Sequence, residues 1–148
     1  MIREFGSAAP NVDYVLRPGG YAAILDAAKN VAVVFTPQGL ALPGGGQENA
    51  ETPQDAAIRE TREECGLRII LGQCIGVADE LVFSRDENTY YQKRCTFFLA
   101  EVLETVGAGE CDHELQWLPS EIAMATLTHE SQRWAVAEAC RLKESSHD

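Results

Sequence analysis

The stretch from Leu42 to Leu67 reads LPGGGQENAETPQDAAIRETREECGL. In order it holds a glycine-rich turn, an acidic loop, a helix start and a carboxylate cluster. Thr52 is a good N-cap, Pro53 suits the first helical position, and Asp55 stands three residues after the cap. Gly66 is the matching stop signal, so the segment predicts a helix from Pro53 to Cys65. At roughly 100° per residue, Ile58, Thr61 and Cys65 fall on one side as a core face. Glu60, Glu63 and Glu64 fall together on another side, at i, i+3 and i+4. Carboxylates at that spacing repel and weaken a bare helix. A divalent cation relieves the repulsion, and hard oxygen ligands of this kind suit Mg²⁺ or Mn²⁺.

Upstream, Gly44-Gly45-Gly46 lets the backbone bend and come close to a ligand, and a carbonyl there could add a neutral metal ligand. Arg59 lies beside the acidic cluster, where it could orient carboxylates or meet a phosphate. Three glutamates on a helix, taken alone, read more readily as a solvated acidic face than as a metal site. The complete pattern says more. It resembles the signature of the Nudix hydrolase family: glycine, five residues, glutamate, seven residues, Arg-Glu, an aliphatic, any residue, Glu-Glu, any residue, glycine, an aliphatic. Here these are Gly45, Glu51, Arg59, Glu60, Thr61, Glu63, Glu64, Gly66 and Leu67. At about 7% usage per residue type, the seven polar or glycine matches arise by chance on the order of 10⁻⁸ per start point. Thr61 departs from the aliphatic, but it is β-branched and packs with its hydroxyl turned to a carbonyl one turn back. Ala50 replaces the glycine common before the first glutamate.

The 148 residues suggest one domain with a sizeable core, spanning about residues 14 to 142. Twenty-three acidic residues against 12 lysines and arginines give a net charge of −11. Duplex nucleic acid is therefore excluded as a partner, while a small anion still fits if metal ions neutralise the site. The N-terminus lacks an apolar signal region and no segment reaches membrane-spanning length, which points to the cytoplasm. The five cysteines, Cys65, Cys74, Cys95, Cys111 and Cys140, form no C-x-x-C pair and read as buried, reduced thiols.

Residues 1 to 12 read as a loose lead-in or edge segment. Tyr14-Val15-Leu16 is a short strand, broken by Pro18-Gly19-Gly20. Tyr21 to Ala27 and Val31 to Thr36 read as a hairpin, Pro37-Gln38-Gly39 as a turn, and Leu40 to Leu42 as a short strand. Leu67 to Val82 is strand-rich, with a bulge or break at Gly72 and Gly76. Phe83 to Thr89 is a polar loop, Tyr90 to Leu103 the longest strand, and Gly107 to His113 an acidic loop. Leu115 to Leu118 is a strand, and a short helix runs from Pro119 to Ala125. A last helix runs from Glu130 to Lys143 with Trp134, Ala137 and Cys140 as its apolar stripe, and residues 144 to 148 fray. This order predicts an α/β sandwich. The resemblance implies the specific form, an α/β/α sandwich around a mixed sheet. The late segment Glu114 to Pro119 also looks like the acidic-to-tryptophan stretch of many Nudix domains.

The resemblance further implies hydrolysis of a phosphoanhydride in a nucleoside diphosphate linked to another moiety, with Mg²⁺ as cofactor and Mn²⁺ as substitute. It assigns metal binding to Glu60, Glu63 and Glu64, assisted by the carbonyl of Gly44 or Gly45. Arg59 and Glu51 would hold the cluster. The general base falls to Glu60 or Glu63 on the helix, or to Glu110, Asp112 or Glu114 on the late loop, one of which could instead be a further ligand. His113, beside acids, reads as an exposed loop residue that could touch substrate, His129 as a helix-start residue and His147 as tail. Trp117 and Trp134 read as core. Tyr90, Tyr91 and Phe83 read as sheet packing, with base stacking as the alternative. Lys93 and Arg94 point opposite ways along a strand, so at most one faces a given site. No proline stands between Pro53 and Pro119, which disfavours the ADP-ribose subgroup. The nearest aromatic after the signature is Phe83, which lends no support to the dinucleoside polyphosphate subgroup. A nucleoside triphosphate pyrophosphohydrolase remains, with a non-catalytic nucleotide-sensing module as the alternative. The N-terminal lead-in or an exposed strand edge could pair subunits into a homodimer.

Overall fold

The computed structural model describes residues 1–145; His147 lies outside the described residues. The strands are β1 (Arg3–Phe5), β2 (Val15–Ile24), β3 (Asn30–Thr36), β4 (Gly39–Ala41), β5 (Gly44–Gly46), β6 (Leu67–Ser84), β7 (Thr89–Thr105) and β8 (Glu114–Pro119). The helices are α1 (Pro53–Cys65), α2 (Ser120–Thr126) and α3 (Glu130–Ser145). Five strands form a mixed sheet in the order β1-β6-β7-β2-β5, with β1 parallel to β6 and β2 parallel to β7. A second, antiparallel sheet has the order β4-β3-β8.

Alternation along β2 and β3 builds an apolar core on each face. Ala22 and Ile24 pack with Ala32, Val34 and the α1 residue Cys65. Ala23 and Leu25 pack with Val31, Val33 and residues of α2 and α3, including Ala123 and Val136. Successive strand residues point to opposite faces, so these apolar runs must be covered twice, by α1 on one side and by α2 and α3 on the other. The result is the α/β/α sandwich with a mixed sheet.

Several local expectations are corrected. Pro18-Gly19-Gly20 does not break β2, which passes through them and keeps its parallel register with β7. Gly20 is there for close approach: a Cβ on it would lie 1.8 Å from the Pro53 carbonyl oxygen at the start of α1. The runs around Lys29-Asn30 share one bridge, Leu25 with Val31, and then diverge into different sheets instead of forming a hairpin. Gly44-Gly45-Gly46 is a strand paired with Gly19, Gly20 and Tyr21, not a turn. The polar loop shrinks to residues 85–88 because β6 and β7 pair out to Ser84 and Thr89. Thr61 and Cys65 are buried as the helical period predicts, but Ile58 is exposed, and Ala56, Ala57 and Glu64 complete the inward face. On α3 the buried stripe is Ser131, Gln132, Ala135, Val136 and Ala139, while Ala137 is exposed. Trp117 lies 39% exposed on β8. Of the five thiols, Cys74 and Cys111 are exposed. Gly72 and Gly76 do fall within the irregular stretch where β6 shifts register against β7.

A buried carboxylate fixes α3 to the main sheet. Glu80 on β6 accepts the Ser131 amide at 2.8 Å and lies 3.2 Å from His129 Nδ1. Burial alone would raise the Glu80 carboxyl, but the bonds from His129 and Ser131 outweigh it and bring it down to about 2. A depressed folded-state value adds stability above the unfolded value near 4.5, and that stability disappears as pH falls toward 2. The expected result is a loss of up to about 3 kcal/mol between pH 5 and pH 2 that Glu80→Gln lacks. Urea unfolding of both proteins across that window checks it.

Candidate active site

The α1 segment forms as its sequence predicts. Thr52 accepts the Asp55 amide at 3.1 Å, Asp55 accepts the Thr52 amide at 3.1 Å, and Gly66 closes the helix in the left-handed conformation. The reciprocal cap satisfies N–H groups that the first turn leaves unpaired. The helix lies across β2 and against the glycine strand β5. A Cβ on Gly45 would stand 2.8 Å from the Glu60 carboxylate, so a side chain there would push that carboxylate aside. Gly44 donates its amide to Glu64 Oε1 at 2.9 Å.

Arg59 gathers the acidic groups. Its Nε and Nη2 bond the two Glu51 oxygens at 2.7 and 3.0 Å. Its Nη1 reaches Glu60 at 2.6 Å and Glu63 at 3.2 Å, and Nη2 also donates to the Gly46 carbonyl. Hydrogen bonding from Arg59 holds the Glu51 carboxyl below its ordinary range. The signature residues Glu51, Arg59 and Glu60 are thus one connected cluster, with the Glu63 side chain half exposed at its outer edge. Arg59→Ala would leave Glu51 and Glu60 close to each other without a cation. The expected cost is about 2–4 kcal/mol, larger than an exposed ion pair gives, and it is read as a lower midpoint in urea.

Glu60 and Glu64 reach into a cavity of about 380 Å³. Burial raises the Glu60 carboxyl despite Arg59. Burial raises Glu64 further, to about 7, with the Gly44 amide opposing and the Glu60 charge adding to the rise. Both are hard oxygen donors held away from water beside a glycine wall, a donor set that fits Mg²⁺ or Mn²⁺.

The loop before β8 is pinned to the end of α1, where Val106 donates to the Gly66 carbonyl and Glu110 to the Glu63 carbonyl. It delivers His113, whose Nε2 stands 3.5 Å from Glu64 Oε2 and whose Nδ1 is 2.7 Å from Asp112. Burial would lower the imidazole, but Asp112 and then Glu64 outweigh it and raise it. Ligand atoms of Glu110, Asp112 and His113 lie within 4.8 Å of one another. His113 is therefore a lining residue and not a freely exposed one. Glu114 sits exposed on β8 opposite Phe35.

The opposite wall comes from β2 and β7. Arg17, Tyr91 and Lys93 line the cavity there. Arg94 turns to the other face of the sheet and forms a bidentate pair with Asp79 at 2.9 Å. Phe83 and Tyr90 pack with ring centres 4.7 Å apart at a 45° tilt, with Tyr14 edge-on to Tyr90. Arg17 was not legible as a site residue, because an arginine on an otherwise apolar strand carries no spacing signal.

The comparisons agree with this fold. The sequence profile of the Nudix domain matches residues 15–139. The chain belongs to the Nudix hydrolase family. The human protein named diphosphoinositol polyphosphate phosphohydrolase 3-alpha is 31% identical over 86 residues, which cover 58% of this chain and 51% of that relative. The chain thus spans about half the length of the curated relatives it matches. Among solved structures, the Nudix hydrolase of Nitrosomonas europaea shares the fold with TM-score 0.68 at 18% identity, over 84% of this chain and 88% of its own. The E. coli dihydroneopterin triphosphate pyrophosphohydrolase shares it with TM-score 0.66 at 20% identity, over 82% and 94%. Among the described residues, no helix is long and apolar enough to cross a membrane.

Proposed function

We propose that the chain hydrolyses a phosphoanhydride bond in a nucleoside triphosphate-type substrate, with Mg²⁺ as cofactor and Mn²⁺ able to replace it. The observation that carries this reading is the pair Glu60 and Glu64, half-buried to buried in a cavity that also receives Arg17 and Lys93. Glu60, Glu63 and Glu64 would hold the metal, with a carbonyl of Gly44 or Gly45. When bound, the metal supplies charge neutralisation of the pyrophosphate oxygens and activation of water. Glu60, its carboxyl raised by burial, is basic enough to accept the proton of the attacking water. Arg59 and Glu51 hold Glu60 in place, and His113 with Asp112 orients Glu64. Arg17 and Lys93 fix the phosphate chain, which needs chiefly positioning and charge stabilisation. Glu114 lies exposed on β8 and is not among the residues lining this cavity. Water attack breaks one P–O–P bridge and yields a nucleoside monophosphate and pyrophosphate.

The test is phosphate and pyrophosphate release from a panel of nucleoside triphosphates, nucleotide sugars, dinucleoside polyphosphates and a diphosphoinositol polyphosphate. It is run with Mg²⁺ and Mn²⁺ on the native chain and on Glu63→Gln. Metal-dependent cleavage of the triphosphates, reduced in the variant, is expected. Metal-dependent binding with no turnover of any compound would contradict the reading and favour a nucleotide sensor.

A further inference from the structure

The open side of the cavity has its own charge arrangement. Arg17 on β2 and Lys93 on β7 are register partners in the parallel pair, and Tyr91 stands two residues before Lys93. All three side chains therefore leave the same face of the sheet. The Arg17 guanidinium lies 5.1 Å from the centre of the Tyr91 ring. Glu87, from the turn between β6 and β7, pairs with Arg17 at 3.5 Å and accepts the Tyr91 hydroxyl. Arg17 and Glu87 are each about half exposed, so this three-residue clasp stands at the opening.

The lining holds Arg17 and Lys93, four carboxylates (Glu60, Glu64, Asp86 and Glu87) and two imidazoles, His113 held against Glu64 and His129 against Glu80. With Glu60 and Glu64 committed to a metal, Asp86 and Glu87 balance Arg17 and Lys93. That leaves no surplus positive charge for a ligand carrying phosphates in several directions. A single phosphate chain would need less: it would displace Glu87 from Arg17 and run inward to the metal. Tyr91 then offers an aromatic surface to a planar group at the opening.

We infer that Arg17, Tyr91 and Glu87 form a charge gate, which selects one linear phosphate chain on an uncharged planar group and disfavours rings bearing several phosphates. The inference rests on the hydrolase reading and names the substrate class of that same site. It separates this chain from the substrate in its human relative's name.

The test compares kcat/KM for a nucleoside triphosphate and a diphosphoinositol polyphosphate, using the native chain, Glu87→Gln and Glu87→Lys. The native chain is expected to prefer the triphosphate. Glu87→Lys is expected to move the ratio toward the polyphosphorylated ring by roughly tenfold, through KM and not kcat, with Glu87→Gln between. Calorimetric binding of both compounds in Ca²⁺ reads the same ratio independently of turnover. A ratio unchanged within about twofold in both variants, or a native preference for the polyphosphorylated ring, overturns the gate. Absence of turnover with a normal binding preference would sink the hydrolase reading and leave the gate standing.

Discussion

Glu64→Gln is expected to lower metal-dependent turnover by on the order of 10³ while leaving the Tm unchanged or slightly raised. The two effects separate because of where Glu64 sits. Its carboxyl is buried, accepts the Gly44 amide and is pushed up to about 7 by burial and then by the neighbouring Glu60 charge. The glutamine carbonyl keeps the bond from Gly44 and removes a buried charge that costs the fold something. What is lost is the anionic oxygen beside Glu60. Calorimetric Tm and kcat/KM on the same preparation decide the matter. A fall in Tm matching the loss of rate would make Glu64 a packing residue.

Gly20→Ala is expected to cost about 3 kcal/mol or more, with loss of the metal site in whatever remains folded. The added Cβ would lie 1.8 Å from the Pro53 carbonyl oxygen and 3.2 Å from the Ala57 amide nitrogen. Both are backbone atoms in the first turns of α1, so no side chain can swing aside. Either β2 bends away from its pairing with β5 and β7, or α1 lifts off the sheet. In both cases Glu60 and Glu64 move relative to Gly44 and Gly45. Urea unfolding measures the first effect and Mn²⁺ titration of the folded protein the second. A variant of native stability and native metal affinity would show that α1 has slack that these distances deny.

Most of α1 was legible because its signals are local. Cap, proline, capping carboxylate and left-handed glycine all lie in the sequence next to the turns they control, and the helix bounds follow from them. The carboxylate cluster was legible for the same reason, since spacing on one helix fixes which side chains share a face. The glycines misled where their purpose was distant. Gly19 and Gly20 read as a strand break, yet they admit β5 and the start of α1, elements far along the chain. Gly44 to Gly46 read as a turn, yet they pair as a strand because β2 offers an edge there.

The rest depended on tertiary contacts. Ile58 has the apolar character of a core residue, but α1 turns its small residues Ala56 and Ala57 to the sheet, where a larger side chain would hold the helix off. His113 looked exposed because its neighbours are acidic. Its burial comes from a loop whose amides bond the last turn of α1. Arg17 became visible only when parallel pairing set it beside Lys93.

The most direct single measurement is Mn²⁺ binding by electron paramagnetic resonance, with and without a non-hydrolysable nucleoside triphosphate analogue, for the native chain and Glu64→Gln. The account predicts bound Mn²⁺ in the native chain, tighter with the analogue present, and an affinity at least about tenfold weaker in the variant. Equal Mn²⁺ affinity in the two proteins would place the metal elsewhere and contradict the role given to the α1 glutamates.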